Sequence, residues 1–428
     1  MKASFISMIF AAALATPAAA QDIEALQAQI NALQQQLNDM KAKQEQSEAK
    51  AAETPKVKWG PAPTISSPDG EYEMKLRGRL YFDAGWVNDA DDVADIKATE
   101  ARTARIGIEG KAGQGIKYRM EANFAGNHVS VQDAFISLPA GGGAIKVGHF
   151  KPGHSLTEAT SSRFTTFMER AAFTDAFGFT RSLGVGYFTH GDDWSANISL
   201  QRGGMATSDD DEGYVVAGRA TYSPKFDGVQ AHFGTSMRYR KIGDGQAAMG
   251  YSQRPHSHMA DKFLKTAALS ESDRFFGIES AMVSGSLAAQ AEYSWLKTNL
   301  AAPAVGEKNP GFHGGYAEVS YFLTGEKRGY KASSGGFDRV KVLDPIGKGM
   351  GAWQVAARYD TIDLSDEGVL GGEQSTWTLG LNWYLNNHTR IMMNYAHSNI
   401  DNAFDSGLNG LDGKNKVDAF GIRAQIDW

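Results

Sequence analysis

Apolar and polar residues alternate along the chain from Tyr72 to Trp428. In residues 72–86 one face is mostly apolar, and the other carries Glu73, Lys75, Arg77 and Arg79. A period of two is typical of a β-strand with one apolar and one polar face. The last residues, 420–428, repeat this pattern. Similar segments lie between them, at residues 103–111, 115–124, 129–138, 143–150, 182–190, 193–201, 213–223, 228–240, 274–283, 286–297, 313–323, 351–361, 375–385 and 388–397. The sequence therefore predicts sixteen strands.

The predicted strands fit a membrane barrel better than a soluble sandwich. Most are long enough for a strand tilted by about 45° to cross a hydrocarbon layer of ~30 Å. Lys, Arg and Glu recur at mid-strand, where the core of a sandwich would exclude charge and a wet lumen would not. Short turns alternate, with some irregularity, with long polar loops, as in outer-membrane barrels. We expect an all-β fold, a 16-stranded antiparallel transmembrane β-barrel, over residues 71–428.

The N-terminal residues follow other patterns. Residues 1–20 have a basic start, an apolar run and an Ala-rich end, which predicts a signal peptide for export. Residues 21–50 carry a heptad seam, which predicts a short coiled-coil helix within an oligomer. A solvated amphipathic helix remains the alternative. Residues 51–70 contain four prolines and predict an extended linker. The seam consists of Ile23, Leu26, Ile30, Leu33, Leu37 and Met40.

The amino-acid composition excludes several classes of function. The chain of 428 residues has no cysteine, so disulfides, thiolate metal sites and cysteine nucleophiles are excluded. After loss of Lys2 with the signal, the net charge is −7, and nucleic acid is an unsuitable partner. Neither an enzyme motif nor a convincing metal motif occurs, and we expect no catalysis and no cofactor. The histidines of the "HSH" string, His256 and His258, are interpreted as solvated loop residues.

The polar faces of the predicted strands carry more basic than acidic residues. If the apolar faces contact lipid, thirteen cations point into the lumen. They are Lys75, Arg77, Arg79, Arg105, Lys117, Arg119, Lys146, Arg219, Arg238, Arg240, Arg358, Arg390 and Arg423. Seven carboxylates on the same faces offset part of this charge. Arginine suits an oxyanion path because its planar fork donates paired hydrogen bonds and stays charged. Lys75, Arg77 and Arg79 form a short cationic ladder on one wall.

Two long loops bear on passage through the barrel. Residues 151–181 contain several Phe and Met residues, which predicts a loop folded inward as the constriction. This loop contributes four cations and three hydroxyl donors, which are Lys151, Arg163, Arg170 and Arg181, and Ser155, Ser161 and Ser162. Residues 324–350 form the most basic long loop, and we expect it to be an external funnel.

Several strings resemble a known family. They are "ARIGIEG" at 104–110, "FMER" at 167–170, "YFLTGE" at 321–326, "GAWQVAARYD" at 351–360, "LGLNWYLN" at 379–386 and the terminal "FGIRAQ". Together they resemble the phosphate-selective porin O/P family of outer-membrane channels, from about Tyr72 to Trp428. The resemblance implies a homotrimer of sixteen-stranded barrels, an inward third loop and a cationic path for phosphate-like anions. The family's path residues would be Arg77, Arg79, Arg102, Arg105, Lys151 and Ser155.

The sequence therefore predicts a passive outer-membrane channel for small anions, phosphate-like, in a Gram-negative bacterium. The expected partners are inorganic anions, a homotrimer, membrane lipids and lipopolysaccharide. Two alternatives stay open, a weakly selective general porin and a structural or adhesive trimeric surface protein. The full candidate pathway is Lys75, Arg77, Arg79, Arg102, Arg105, Arg119, Lys151, Ser155, Arg163 and Arg170.

Overall fold

The computed structural model describes residues 17–92, 94–205, 211–404 and 406–428. Most of the predicted signal, residues 1–16, lies outside these ranges. Helix α1 spans Pro17–Glu53 and covers the predicted heptad segment. All six seam residues are exposed within the single chain. Two three-residue strands, Lys56–Lys58 and Thr64–Ser66, interrupt the Pro-rich segment that follows. The barrel begins after it.

Sixteen strands form the barrel, in agreement with the sequence. We number them β1 (Tyr72–Asp89), β2 (Ile96–Ala112), β3 (Lys117–Asn123), β4 (Ser130–Ala140), β5 (Gly143–Phe150), β6 (Ser182–His190), β7 (Trp194–Arg202), β8 (Tyr214–Tyr222), β9 (Val229–Lys241), β10 (Ser270–Ser284), β11 (Leu287–Leu300), β12 (Gly311–Phe322), β13 (Ala352–Asp366), β14 (Val369–Tyr384), β15 (Thr389–Ala403) and β16 (Asn415–Asp427). Short strands also form in the connections, at Lys225–Phe226, Ser252–Gln253, Leu264–Lys265, Gly329–Lys331 and Gly336–Asp338.

Every barrel strand pairs antiparallel with the next, and the sheet closes on itself. Strand β16 pairs with β1, with Asp427 opposite Arg79 and Val417 opposite Asp89. Closure leaves no free sheet edge, which a barrel in a membrane requires because lipid cannot bond to backbone groups. The predicted all-β, sixteen-stranded fold is confirmed.

Connection lengths distinguish the two rims. The terminal rim is the one where β1 begins and β16 ends, and it carries most of the shortest turns, such as residues 141–142 and 285–286. The opposite rim carries the long connections 151–181 and 242–269. The terminal rim also holds one long connection, residues 323–351. In bacterial barrels the short turns lie in the periplasm and the long loops lie outside the cell.

The outer wall is apolar and aromatic. Trp353 and Trp383 stack with ring centroids 5.2 Å apart, and Tyr359 contacts Trp377 at 4.9 Å. Such aromatic side chains favour the boundary between lipid and water. Among the described residues, no helix combines the length and the hydropathy needed to cross a membrane.

Apolar packing inside the barrel comes from the connections that fold into it. Phe173, Phe177 and Phe179 of the loop 151–181 pack against the wall residue Phe275, with the rings of Phe179 and Phe275 5.0 Å apart. Phe263 and Leu264 of the connection 242–269 belong to the same buried cluster. The barrel interior is therefore partly filled near the opposite rim, and the remaining space is lined by polar groups.

Candidate functional site

The strand alternation places all thirteen predicted cations on the inward faces. Arg77, Arg79, Arg219 and Arg358 are buried, while their chain neighbours on the other face, such as Leu76 and Tyr359, are exposed on the outer wall. Each strand turns its polar side chains inward because the outer face contacts hydrocarbon. The predicted orientation of the strand cations is confirmed.

One carboxylate holds three arginines on the wall formed by β1, β2 and β3. Glu121 accepts from Arg79 Nη2 at 2.9 Å and Arg105 Nη1 at 3.3 Å, and its other oxygen lies 3.0 Å from Arg77 Nε. Because three guanidinium groups share this carboxylate, the group keeps a surplus of positive charge. Charge-assisted hydrogen bonds also fix the arginines in place.

A second group of charges continues along the same wall. Glu109 binds Arg119 at 2.8 Å and also pairs with Arg77, and Asp133 binds Arg119 at 3.3 Å and Arg181 at 2.7 Å. Lys146 lies beside this group with its Nζ 4.0 Å from the centre of the Phe188 ring. Aromatic faces attract cations without neutralising them. This part of the wall therefore also remains cationic.

An irregularity in β2 brings Arg102 into the same space. Tyr81 pairs with Thr103 and Phe82 with Ala101, so Arg102 is an extra residue in the ladder. A β-bulge of this kind redirects a side chain from the regular alternation. Arg102 and Thr103 both line the lumen, and Arg102 Nη2 lies 3.5 Å from Glu169 Oε2.

The loop 151–181 crosses the lumen and is anchored on the far wall. Its first helix, α2 (Leu156–Ala159), points its backbone N–H groups at Glu292, with Leu156 N at 2.8 Å and Thr157 N at 2.7 Å. Its second helix, α3 (Ala172–Ala176), begins with Ala172 N donating to Asp360. Between them Met168 N donates to Asn394 Oδ1 at 2.7 Å. The structure confirms that this loop folds inward.

The loop cations lie against loop carboxylates. Glu158 binds Arg170 Nε at 3.1 Å and also pairs with Lys151. Burial lowers the pKa of Lys151, although Glu158 acts against this shift. Burial, together with the neighbouring arginines, also lowers the pKa of Arg163 to about 10. Burial alone would raise the pKa of Glu169, but Arg102 and Arg423 outweigh it and hold the value at about 2.

The loop hydroxyls are divided between two roles. Ser155 caps α2, accepting a hydrogen bond from Glu158 N at 3.2 Å, and its side chain does not line the open space. Ser161 and Ser162 do line it, and Ser162 Oγ accepts from Arg79 Nη1 at 2.9 Å. The geometry thus places Ser162, rather than Ser155, beside the strand arginines. Sequence alone could not separate them because the cap depends on where α2 begins.

The open space between this wall and the loop has a volume of about 870 Å³. Within the described residues, fourteen Lys and Arg side chains line it, against four carboxylates. Eight of the ten candidate pathway residues are among them, the exceptions being Lys75 and Ser155. The lining cations are Arg77, Arg79, Arg102, Arg105, Lys117, Arg119, Lys146, Lys151, Arg163, Arg170, Arg181, Arg219, Arg254 and Arg423.

The segment 323–351 is not the predicted external funnel. It leaves β12 at the terminal rim and turns into the barrel, where Phe337 and Val340 are buried. Arg219 Nη2 of the wall donates to Gly335 O at 2.6 Å, and Phe337 N donates to Thr160 Oγ1 of the inward loop at 3.2 Å. The prediction was wrong because charge composition does not say at which rim a connection lies.

The two histidines interpreted as solvated differ in placement, because the side chain of His256 is buried whereas that of His258 is exposed, as expected. His256 Nδ1 lies 3.0 Å from Arg358 Nη2, and His258 Nδ1 lies 2.9 Å from Glu100. Both belong to the connection 242–269, which folds into the barrel and brings Arg254 to the lining. This second inward connection carries no distinctive sequence signal. No group of three potential metal ligands occurs among the residues the structure describes.

Comparison with known proteins identifies the fold and the family. The model of the phosphate-selective porin O and P family matches residues 74–428. Porin O of Pseudomonas aeruginosa is 28% identical over 380 residues, covering 79% of this chain and 85% of that protein. An uncharacterized protein of Caulobacter vibrioides is 35% identical over 401 residues, covering 89% of this chain and 79% of that protein.

Solved structures share the barrel at low sequence identity. An anion-selective porin from Comamonas acidovorans superposes with a TM-score of 0.53 at 16% identity, over 83% of this chain and all of that one. OprB of Pseudomonas putida gives a TM-score of 0.53 at 9% identity, over 84% of this chain and 95% of that one. At these identities the likeness concerns the fold. Fold and family together indicate an outer-membrane channel rather than an enzyme. The chain belongs to the phosphate-selective porin O and P family.

Proposed function

We propose that this porin passes small anions by passive diffusion and prefers phosphate-like oxyanions. The observation that carries the proposal is the lining of the open space, with fourteen cationic side chains against four carboxylates. A narrow passage with one sign of charge concentrates ions of the opposite sign and repels ions of its own.

The arrangement of the arginines suits an oxyanion. Arg79, Arg77 and Arg105 are held by Glu121, so their free N–H groups are oriented before an anion arrives. Guanidinium groups donate paired hydrogen bonds to oxyanions such as phosphate, which a spherical chloride cannot accept in the same way. Successive cations along the wall and the loop give several weak sites, which permits binding and release.

Assembly and location complete the proposal. The exposed seam of α1 fits burial against two further copies, since fewer than three heptads are marginal alone and a barrel trimer would hold them together. We also propose export by the signal at residues 1–20 to the outer membrane of a Gram-negative bacterium, in contact with its lipids and lipopolysaccharide.

The test is ion selectivity in a planar bilayer, measured as the reversal potential in a KCl gradient. We expect strong anion selectivity for the native protein, and a marked loss for the double variant Arg77→Gln with Arg79→Gln. Arg202→Gln is the matched control, because Arg202 is an exposed cation at the end of β7, paired with Asp211. Cation selectivity of the native protein would overturn the proposal.

The second candidate function, a weakly selective porin for small solutes, is favoured by one observation. Glu109, Glu121 and Asp133 already pair with four wall arginines and with Arg181 at the end of the inward loop. If this pairing removes the effective charge, the double arginine variant will keep the native reversal potential.

A further inference from the structure

We propose that the outer wall between β8 and β12 binds a phosphorylated lipid of the outer leaflet. Arg274 and Lys297 would hold the phosphate, and the apolar groove beside them would take acyl chains. This site lies on the lipid side of the wall. It rests on the membrane location of the barrel and is independent of what passes through the lumen.

The register of the strands places the two cations side by side. Tyr239 of β9 lies opposite Arg274 of β10, and Arg274 lies opposite Lys297 of β11. All three positions belong to the outward face, where Arg274 and Lys297 are exposed. The row is close to the opposite rim, because β10 begins at Ser270 and β11 ends at Leu300. The opposite rim, with its long loops, corresponds to the outer leaflet.

Within the described part of the chain, no ion pair involves Arg274 or Lys297. Like charges directly opposite each other destabilise a sheet. Neither Arg274 nor Lys297 has an ion pair or side-chain hydrogen bond with a described residue, whereas Arg202 on the same rim pairs with Asp211 at 2.5 Å. The carboxylate beside Lys297 is Asp366, whose Oδ2 accepts from Gly311 N at 2.7 Å and forms no ion pair with Lys297. The guanidinium and ammonium groups therefore keep free N–H donors that a phosphate could bind.

One row further from the rim, the outer wall carries the aromatic residues typical of the boundary between lipid and water. In the next row Phe276 lies opposite Trp295, and their rings stack at 5.7 Å. Aromatic rows of this kind mark the level of lipid head groups. The cations lie one row nearer the rim, which is the level where anionic head groups meet basic side chains.

A groove in the wall extends from this row. It has a volume of about 1010 Å³ and is lined mainly by apolar side chains, among them Ile198, Val216, Met237 and Phe276. In the register, Gly218 lies opposite Ile198 of β7 and Met237 of β9. Because glycine has no side chain, the outer wall has a depression at this point. A Cβ atom there would meet only Asn197 O, at 3.3 Å. Because charge and apolar surface adjoin, the groove fits a phosphorylated lipid better than a free anion or a purely apolar chain.

The experiment measures lipid binding to the full-length porin in detergent micelles by native mass spectrometry. The probe is bisphosphorylated lipid A, compared with the same lipid after dephosphorylation. We expect Arg274→Gln with Lys297→Gln to weaken binding of the phosphorylated lipid about thirtyfold, down to the level of the dephosphorylated one. Gly218→Leu, which fills the groove, should weaken both lipids. The control Arg202→Gln should change neither.

Three results would overturn the proposal. One is equal binding of the two lipids by the native protein, and another is unchanged binding by the double variant. The third is a second copy of the chain on this face. Since the chain has no cysteine, disulfide cross-linking of Met237→Cys between protomers would reveal such a second copy directly.

Two controls separate the lipid site from the lumen. An excess of inorganic phosphate should not displace the lipid. Native single-channel conductance in the double variant would show that the lumen is intact, so this test and the selectivity test can fail separately.

Discussion

Arg79 donates from Nη1 to Ser162 Oγ at 2.9 Å and from Nη2 to Glu121 at 2.9 Å. One guanidinium therefore joins the first strand, the third strand and the inward loop. Because Ser162 and Arg79 are held together, a hydroxyl and a cation lie side by side on the open space. An anion at this point of the lining therefore meets both groups.

Removing Glu121 should increase anion selectivity. Glu121→Gln leaves the three arginines without their shared counter-charge, so the positive charge of the wall facing the lumen increases. The reversal potential in a KCl gradient should shift further toward the chloride potential, opposite in sign to the shift caused by removing Arg77 and Arg79.

Glu367→Gln is the matched control, since it removes a carboxylate at a rim turn that pairs with the exposed Lys308. A shift of the same size in both variants would mean that net charge, rather than the lumen arrangement, sets selectivity.

Glu292 should control the width of the passage. Its carboxyl oxygens accept from Leu156 N and Thr157 N, and hydrogen bonds contribute about 0.5–1.5 kcal/mol each. Glu292→Ala removes both acceptors, so α2 should detach from β11. We expect a larger and noisier single-channel conductance, with more rapid uptake of larger solutes into liposomes.

Glu292→Gln keeps one acceptor oxygen and should have an intermediate effect. Native conductance in the alanine variant would contradict the role of this contact in holding the loop.

Because of Lys151, anion selectivity should change with pH in the alkaline range. Burial lowers its pKa, so it loses its charge at a lower pH than an ordinary lysine does. Anion selectivity should therefore fall with rising pH, and the fall should begin at a lower pH than an ordinary lysine would cause. Chloride is the suitable permeant ion because it does not titrate. Lys151→Arg should remove this component, since arginine keeps its charge. The same pH profile in the native protein and the arginine variant would contradict the assignment.

The strands could be predicted from sequence because their signal is local. A period of two over 8 to 13 residues needs no knowledge of tertiary contacts, and it also places Arg77, Arg79 and Arg105 inward. The inward course of residues 323–351 could not be predicted in this way. It depends on contacts such as Arg219 with Gly335 O, between residues 116 positions apart.

Two smaller differences at the site have the same physical origin. Arg102 lines the lumen next to Thr103 because of a bulge, which a regular alternation does not contain. Ser155 has the residue type of a pathway donor, but it is the cap of α2 and its hydroxyl already has a partner. The site was thus predictable where strand geometry decides it, and not where turns and caps decide it.

Helix α1 should support the proposed trimer without being essential to it. Its seam residues are exposed in the single chain, and a seam of this length gives a marginal coiled coil. Deletion of residues 23–40 should leave a trimer on a native gel, with a lower melting temperature for its dissociation. Replacing Leu26, Ile30 and Leu33 by Gln should have the same effect if the seam is responsible. Monomers after deletion would show that the helix supplies the main contacts.

The central claim is that the lumen binds and passes phosphate-like anions. Titration of the single-channel chloride current with inorganic phosphate tests it most directly. We expect phosphate to block the current at concentrations well below that of chloride, and the block to weaken in the variant lacking Arg77 and Arg79. A current that phosphate does not block below the chloride concentration would contradict the claim and leave a porin without this preference.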